Sequence, residues 1–141
     1  MNTRSVNLYV PALGRLLMAT IFLMSGLSKL ADPAGTIAYI RGAGAPLPTV
    51  AYGGALTVEL AGGILLVLGY QTRAVAAVMA GFSVAAAVLF HSNVGDLNQM
   101  IHFTKNVAIA GGFLQVIAFG AGGLSLDALL ARHNAQAPQA A

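Results

Sequence analysis

The stretch 50–69 is apolar apart from one ionisable side chain, Glu59, near its middle. As a helix it would extend about 30 Å, the thickness of the hydrocarbon core of a bilayer. A carboxylate at that depth costs about 2.5–3.5 kcal/mol on insertion scales, and it usually has a partner, a proton or a wet cavity. The rest of the chain is therefore interpreted as the surroundings that make Glu59 tolerable in a membrane.

Composition supports an integral membrane protein that contacts the lipid bilayer. Of the 141 residues, 57% are hydrophobic and 8% are charged, whereas soluble domains have about 25% charged residues. The seven basic residues are scattered singly, so the net charge of +3 forms no patch that would bind nucleic acid. Because there is no cysteine, the chain offers no dithiol relay, iron–sulfur cluster, thiolate-bound zinc or covalently attached haem. No intrinsic cofactor is expected.

Four apolar segments predict an all-α integral membrane four-helix bundle. The predicted spans are 9–30, 50–69, 74–91 and 100–120. They form a single transmembrane domain, 1–126. Asp32-Pro33 ends the first span, and the connection 31–48 is expected to be a loop with a short interfacial helix. The polar tail 127–141 is expected to be disordered.

An even number of spans places the N- and C-termini on the same side of the membrane. Arg4, Arg15, Arg73 and Arg132 fall on that side, and Lys29, Arg41 and Lys105 fall on the other. Basic residues are enriched in cytoplasmic loops, so this distribution favours termini in the cytoplasm. The predicted location is the bacterial cytoplasmic (inner) membrane, crossed several times.

The first span has one face with a cation at each end. Arg15, Ala19, Phe22, Gly26 and Lys29 follow one another at spacings of four, three, four and three residues. That spacing is typical of one helical face and predicts a packing seam. The two cations are interpreted first as interface anchors that extend to opposite membrane surfaces, ahead of any catalytic role.

Small residues mark the faces on which the second and fourth spans are expected to meet, since small side chains let helices approach closely in lipid. These faces are Ala55, Glu59 and either Gly62 or Gly63 on the second span, and Lys105, Ala108 and Gly112 on the fourth. If the two faces meet, Glu59 lies in the interior of the bundle.

The candidates for a buried polar site are Glu59, Lys105, Asn106, Arg15, Lys29, His91 and His102. By helical rise, Lys105 lies about 7 Å and Glu59 about 13 Å below the same membrane surface. A long lysine side chain could close much of that gap, so Glu59–Lys105 is the predicted buried pair. Arg15, from the opposite side, is the competing partner. Asn106 and the histidines are further hydrogen-bonding candidates.

Two interpretations of this polar site stay open. It forms either a pocket open to the non-cytoplasmic side, able to hold a proton or a quinone ring, or an ion pair that fixes helix register. His91 and His102 have neither a third ligand nor a histidine partner within one helix, so no metal site is predicted. No catalytic residue is assigned.

With these residues in place, the chain resembles the DoxX family of small four-helix membrane proteins. The resemblance covers about residues 12–126. It rests on Gly14-Arg15, Gly26-Leu27-Ser28-Lys29, Glu59-Leu60-Ala61-Gly62-Gly63, Gly69, Arg73, Lys105-Asn106 and Gly111-Gly112-Phe113-Leu114. The resemblance implies a four-helix bundle in the bacterial cytoplasmic membrane. Some members of the family are described as subunits of quinone-linked thiosulfate or sulfur oxidation systems, and others as membrane parts of oxidoreductase complexes that handle oxidative stress. Many members have no assigned activity.

Three functions follow from these observations. The first is a subunit or accessory of a quinone-linked oxidoreductase or oxidative-stress system, in which a quinone or a partner subunit supplies the electrons. The second is a non-enzymatic scaffold or anchor for partner proteins. The third is an oligomeric small-molecule or proton-linked transporter, since four short spans form a pore only as a homo-oligomer. Whether the chain is itself an enzyme stays open.

Overall fold

The computed structural model describes residues 3–136, which contain helices and turns and no strand. The helices are α1 (Thr3–Ala31), α2 (Pro33–Gly42), α3 (Pro48–Leu56), a π-helix (Thr57–Gly62), α4 (Gly63–Leu68), α5 (Thr72–Phe90), α6 (Leu97–Phe119) and α7 (Leu126–Gln136). The predicted all-α class is confirmed.

Three helical stretches are long and apolar enough to cross a membrane. They are Leu8–Ala31, Pro48–Leu68 and Thr72–Phe90. Their bounds agree with the first three predicted spans to within two residues. The fourth predicted span coincides with α6, which has 23 residues but is not among these three.

Local sequence explains where the helices begin and end. The Asp32 side chain accepts a hydrogen bond from Gly35 N at 2.9 Å, and Pro33 occupies the first turn, so α2 begins directly after α1. Asp96 caps α6 in the same way through Gln99 N at 2.9 Å. Gly69 ends α4 in the left-handed conformation, with φ of +66°. Asp32 and Pro33 thus begin a ten-residue helix, α2, in the predicted loop 31–48, which is longer than the short helix expected there.

The predicted seam on α1 is confirmed. Arg15 is 2% exposed, Ala19 0% and Phe22 6%, and Gly26 is also buried. These residues face the π-helix, α4 and the apolar core. The core consists of Ala19, Phe22, Leu66, Ala76, Met79, Ala80 and Phe113.

Two glycines set the distance between α1 and the chain around Glu59. A Cβ at Gly26 would lie 2.6 Å from Leu60 Cδ2, and one at Gly63 would lie 2.7 Å from Leu23 Cδ2. Neither position can hold a side chain without displacing a neighbour, so the absence of a Cβ permits close helix packing. This packing brings the face of α1 that carries Lys29 against Glu59.

The predicted inward face of α6 is wrong. Lys105 and Ala108 are exposed, whereas Ala110 and Phe113 are buried. The apolar core selects the face with the large aromatic side chain, so Lys105 and Ala108 point away from the interior. Gly112 is half-buried, and a Cβ there would lie 3.2 Å from Met18 Sδ of α1. Phe113 packs against Phe22 of α1 with ring centroids 5.6 Å apart.

The predicted disorder of the tail is also wrong for the part of it that the structure describes. Residues Leu126–Gln136 form α7, and its first turn is tied to the α4–α5 turn by a hydrogen bond from Asp127 N to Gly69 O at 2.9 Å. The polar composition of this segment predicted disorder, but backbone contacts hold it as a helix. Residues 137–141 of the predicted tail lie outside the described residues.

Candidate functional site

Glu59 occupies a π-helix rather than a regular α-helix. The six residues Thr57–Gly62 form this segment between α3 and α4, and π-helical turns inside α-helices are frequent at functional sites. Sequence reasoning treated the whole stretch 50–69 as one regular helix, because hydrophobic periodicity cannot detect a single turn of π-helix. The adjacent Gly62-Gly63 is the one local hint of an irregularity.

The partner of Glu59 is Lys29. Lys29 Nζ lies 2.8 Å from Glu59 Oε1, and Ser25 Oγ donates to the same oxygen at 3.1 Å. Lys29 Nζ also donates to Ser25 Oγ at 2.7 Å. Glu59 is 3% exposed. Serine and lysine are four residues apart on α1, so both reach the carboxylate from one helical face.

One oxygen of this carboxylate has no donor. Glu59 Oε2 is buried and has no hydrogen-bond partner within residues 3–136. Buried polar atoms are almost always paired, so an orphaned carboxylate oxygen is a departure that needs a reason.

The predicted Glu59–Lys105 pair is wrong. Lys105 Nζ lies 3.0 Å from His102 Nδ1, and its side chain is exposed. Depth alone suggested this pair, but α6 presents a different face to the core. The close approach of α1 at Gly26 supplies Lys29 instead, which contradicts its interpretation as an interface anchor.

Arg15, the competing partner, lies in a separate cluster. Its guanidinium donates to Leu66 O at 2.7 Å, to Val67 O at 3.1 Å and to Leu124 O. These carbonyls are at the end of α4 and just before α7. Arg15 therefore binds main-chain oxygens near helix ends, one of which, Leu66 O, also accepts from Gly69 N at 3.2 Å. Its side chain is buried and does not contact Glu59.

Sequence reasoning missed Asp127 in this same region. Its carboxylate accepts hydrogen bonds from Gln71 N at 2.8 Å and from Thr72 N at 2.9 Å, which caps the start of α5. Burial alone would raise the pKa of Asp127, but these backbone donors and the charge of Arg15 together lower it. Asp127 was not considered as a helix cap because it was assigned to the polar tail, which was predicted to be disordered.

A cavity of about 540 Å³ adjoins the Lys29–Glu59 pair. Five of the predicted site residues line it, namely Lys29, Glu59, His91, Lys105 and Asn106. Four aromatic side chains also line it, namely Phe22, Tyr39, Phe82 and Phe90. The remaining lining residues include Ser25 and a series of small and aliphatic side chains. The cavity therefore combines mostly apolar walls with one charged pair.

The short helix α2 forms one wall of this cavity. Thr36, Tyr39 and Ile40 all line it, and the Tyr39 ring stacks on Phe90 of α5 with centroids 5.6 Å apart. Ile40 is 4% exposed. The connection that was predicted to lie at the membrane interface thus packs against the spans and partly encloses the cavity.

The two histidines come together at this end of the molecule. The rings of His91 and His102 stack with centroids 4.9 Å apart. His91 Nδ1 lies 2.9 Å from Gln99 Oε1, and Asn106 Nδ2 donates to His102 O at 3.0 Å. Among the residues that the structure describes, no group of three histidine, cysteine or acidic side chains could hold a metal ion.

Comparisons with known proteins place this chain in a family. The sequence profile named DoxX matches residues 10–92. Inner membrane protein YqjF of Escherichia coli K12 is 38% identical over 119 residues, which cover 82% of this chain and 88% of that protein. Inner membrane protein YphA of the same organism is 37% identical over 120 residues, which cover 82% and 86%. No solved structure matches the chain. The chain therefore belongs to the DoxX family and is a multi-pass protein of the bacterial inner membrane.

Proposed function

We propose that this protein binds a quinone in the cavity beside Glu59 and serves as a membrane subunit or accessory of a quinone-linked oxidoreductase system. The observation that carries the proposal is the cavity itself, in which a charged pair adjoins aromatic and aliphatic walls. Its volume of about 540 Å³ falls within the range of about 300–1,000 Å³ typical of small-molecule sites.

The residues present fit a quinone. The ring is planar and largely apolar, and Phe22, Tyr39 and Phe82 offer aromatic surface for it. Lys29 can donate to a ring oxygen, since the ammonium has three donors and two are engaged. When bound, a quinone supplies a carrier of two electrons and two protons, a chemistry that the side chains of this chain do not provide.

The proposal includes the topology of a four-helix bundle with both termini on the cytoplasmic side. Two observations support it. First, α6 has 23 residues, or about 34 Å of helix, and it packs most extensively against α5. Second, Arg15 near the start of the first span bonds to Leu124, beyond the end of α6. In this topology α6 is the fourth span, and α7 lies beside the α4–α5 turn on the cytoplasmic side.

The core favours binding over transport through a single chain. Along α1, the buried residues Ala19 and Phe22 lie between the cavity and the Arg15 region. Leu66 and Phe113, each 0% exposed, pack in the same layer. A closed apolar layer of this kind gives the cavity a blind end.

The proposal is tested by purifying the protein from its own membranes in mild detergent and measuring bound quinone by native mass spectrometry. We expect a stoichiometric quinone in the wild type. Ala86→Trp should abolish it, because Ala86 lines the cavity and the indole would fill it. Ala77→Trp is the matched control, since Ala77 lies on the same helix, is exposed and does not line the cavity.

Three results would contradict the proposal. Equal quinone content in Ala86→Trp and Ala77→Trp would place any bound quinone outside the cavity. Partner proteins released together with the chain, without a small molecule, would favour the scaffold or anchor function. A homo-oligomer without a small molecule would favour an oligomeric transporter.

A further inference from the structure

The charged end of the cavity has an unused acceptor. Glu59 Oε1 accepts from both Lys29 and Ser25, whereas Oε2 is buried without a partner. As the anionic member of an ion pair, the carboxylate can only accept hydrogen bonds. A ligand that satisfies it must therefore bring a donor.

The same end of the cavity also has an unused donor. Lys29 engages Ser25 and Glu59 with two of its three ammonium protons, and its side chain is 24% exposed and lines the cavity. A single group that both donates and accepts would use the two free positions together. A hydroxyl does this, whereas a carbonyl oxygen uses the lysine only.

The α6 side of the cavity offers a second acceptor. The amide nitrogen of Asn106 donates one of its two N–H groups to His102 O at 3.0 Å, so Asn106 still offers an oxygen acceptor and a second N–H donor. Asn106 lines the cavity. Its amide can therefore bind a hydroxyl or a carbonyl of a head group, and the choice between the two is made at Glu59.

We infer that the cavity prefers the reduced, dihydroxy form of the ring, a hydroquinone, to the oxidised quinone. This inference rests on the proposed function and adds the redox state that the site selects. A hydroquinone hydroxyl donates to Glu59 Oε2 and accepts from Lys29. The oxidised ring has only acceptors, so it leaves the buried carboxylate oxygen unpaired.

The size of the preference follows from that one difference. A hydrogen bond to a charged group is worth about 1.5–3 kcal/mol, which corresponds to roughly a tenfold to hundredfold difference in dissociation constant. The reduced form should therefore bind at least about tenfold more tightly than the oxidised form. Substituents on the ring and the length of the tail are the same in both forms and cancel in this comparison.

The test compares decylubiquinol with decylubiquinone by isothermal titration calorimetry on the full-length protein in nanodiscs. The reduced form is maintained by dithionite under argon, and this reductant has no disulfide to attack because the chain contains no cysteine. We expect the wild type to bind decylubiquinol at least about tenfold more tightly. In Glu59→Gln the ratio should fall towards one, because an amide both donates and accepts.

The control is Asp96→Asn, which makes the same acid-to-amide change at a helix cap where the two residues are equivalent. It should keep the wild-type ratio. If Glu59→Gln does not fold, the double variant Lys29→Met/Glu59→Gln removes both charges together and leaves no lone buried charge. That variant should also lose the preference.

The outcomes separate this inference from the proposed function. Equal binding of the two forms by the wild type would overturn the inference and leave quinone binding intact. Tighter binding of the oxidised form would overturn it as well. Binding of neither form would contradict the proposed function itself, and the inference would fail with it.

Discussion

The two buried polar clusters of this protein have similar charges and opposite surroundings. In the Arg15 cluster (Arg15 and Asp127), the charged groups bond to main-chain carbonyls and amides at the ends of helices. In the Glu59 cluster (Ser25, Lys29 and Glu59), the charged groups bond to one another and line a cavity. The first cluster supplies hydrogen-bond partners to main-chain groups, whereas the second has an acceptor oxygen of Glu59 without a partner.

This difference distinguishes a cluster with a structural role from a cluster that has unsatisfied hydrogen-bonding groups. Helix ends leave carbonyls and amides without intrahelical partners. Arg15 and Asp127 meet that need, so the fold alone accounts for them. The fold does not account for Glu59, because a buried ion pair is weak evidence for stability and one of its oxygens is orphaned. The ligand proposed for the cavity would account for it.

The largest effect on stability is expected from Arg15→Met. The substitution removes the Arg15 hydrogen bonds to the carbonyls of Leu66, Val67 and Leu124, of which Leu66 O keeps a bond from Gly69 N. It should lower the free energy of unfolding by roughly 3–5 kcal/mol. Thermal unfolding in detergent measures this loss. Arg132→Met is the control, because Arg132 is exposed and makes one long contact to Gly123 O at 3.4 Å. Equal losses in the two variants would contradict the structural role of Arg15.

A smaller effect is expected from breaking the Lys29–Glu59 pair. Glu59→Ala or Lys29→Ala should each cost about 1–3 kcal/mol, because each leaves a charged partner alone in an apolar setting. Partial exposure of Lys29 keeps this below the Arg15 effect. The double variant should recover part of the loss, and thermal unfolding of all four proteins gives the coupling energy. Strict additivity of the two single losses would contradict a direct interaction.

Substitution of Asp127 should cost about 1 kcal/mol and should change how stability depends on pH. Asp127→Ala removes the cap on Gln71 N and Thr72 N, and lost caps cost about 0.5–2 kcal/mol. The pKa of Asp127 is lowered in the folded state from its ordinary value of 3.8. Its contribution is therefore complete above about pH 3.8 and is lost as the pH falls towards the folded value.

Unfolding measured from pH 7 to pH 3 checks this dependence. The stability difference between wild type and Asp127→Ala should be constant near neutral pH and should shrink below about pH 3.8. Asp32→Ala is the control, since Asp32 also caps a helix but contacts neither Arg15 nor α5. A difference that widened on acidification would contradict the assignment.

The sequence was sufficient for those features that follow from one helix at a time. Apolar length predicted the spans, and the spacing of Arg15, Ala19 and Phe22 predicted the buried face of α1. The sequence was insufficient where several helices together decide the outcome. The partner of Glu59 depends on how α6 is rotated and on how closely α1 approaches at Gly26, and neither quantity can be obtained from periodicity.

Two further features had no adequate signal in the sequence. The π-helix at Glu59 is six residues long, which is too short a segment for hydrophobic patterning to detect. The helix α7 has a polar composition typical of disorder, and it is held instead by main-chain contacts of Asp127 with the α4–α5 turn. In both places a local backbone arrangement overrides composition.

The smallest effect is expected at Lys105, the residue that depth alone would pair with Glu59. Its exposed ammonium contacts His102 rather than a carboxylate, so Lys105→Ala should change the free energy of unfolding by less than about 0.5 kcal/mol. The sharper measurement is a double-mutant cycle with Glu59→Ala. The coupling energy should be near zero for Lys105 and clearly above zero for Lys29, because only Lys29 lies at 2.8 Å from the carboxylate. A larger coupling energy for Lys105 than for Lys29 would mean that Lys105 of α6 is the ionic partner of Glu59. The Glu59 cluster would then consist of Glu59 and Lys105, and its comparison with the Arg15 cluster would change accordingly.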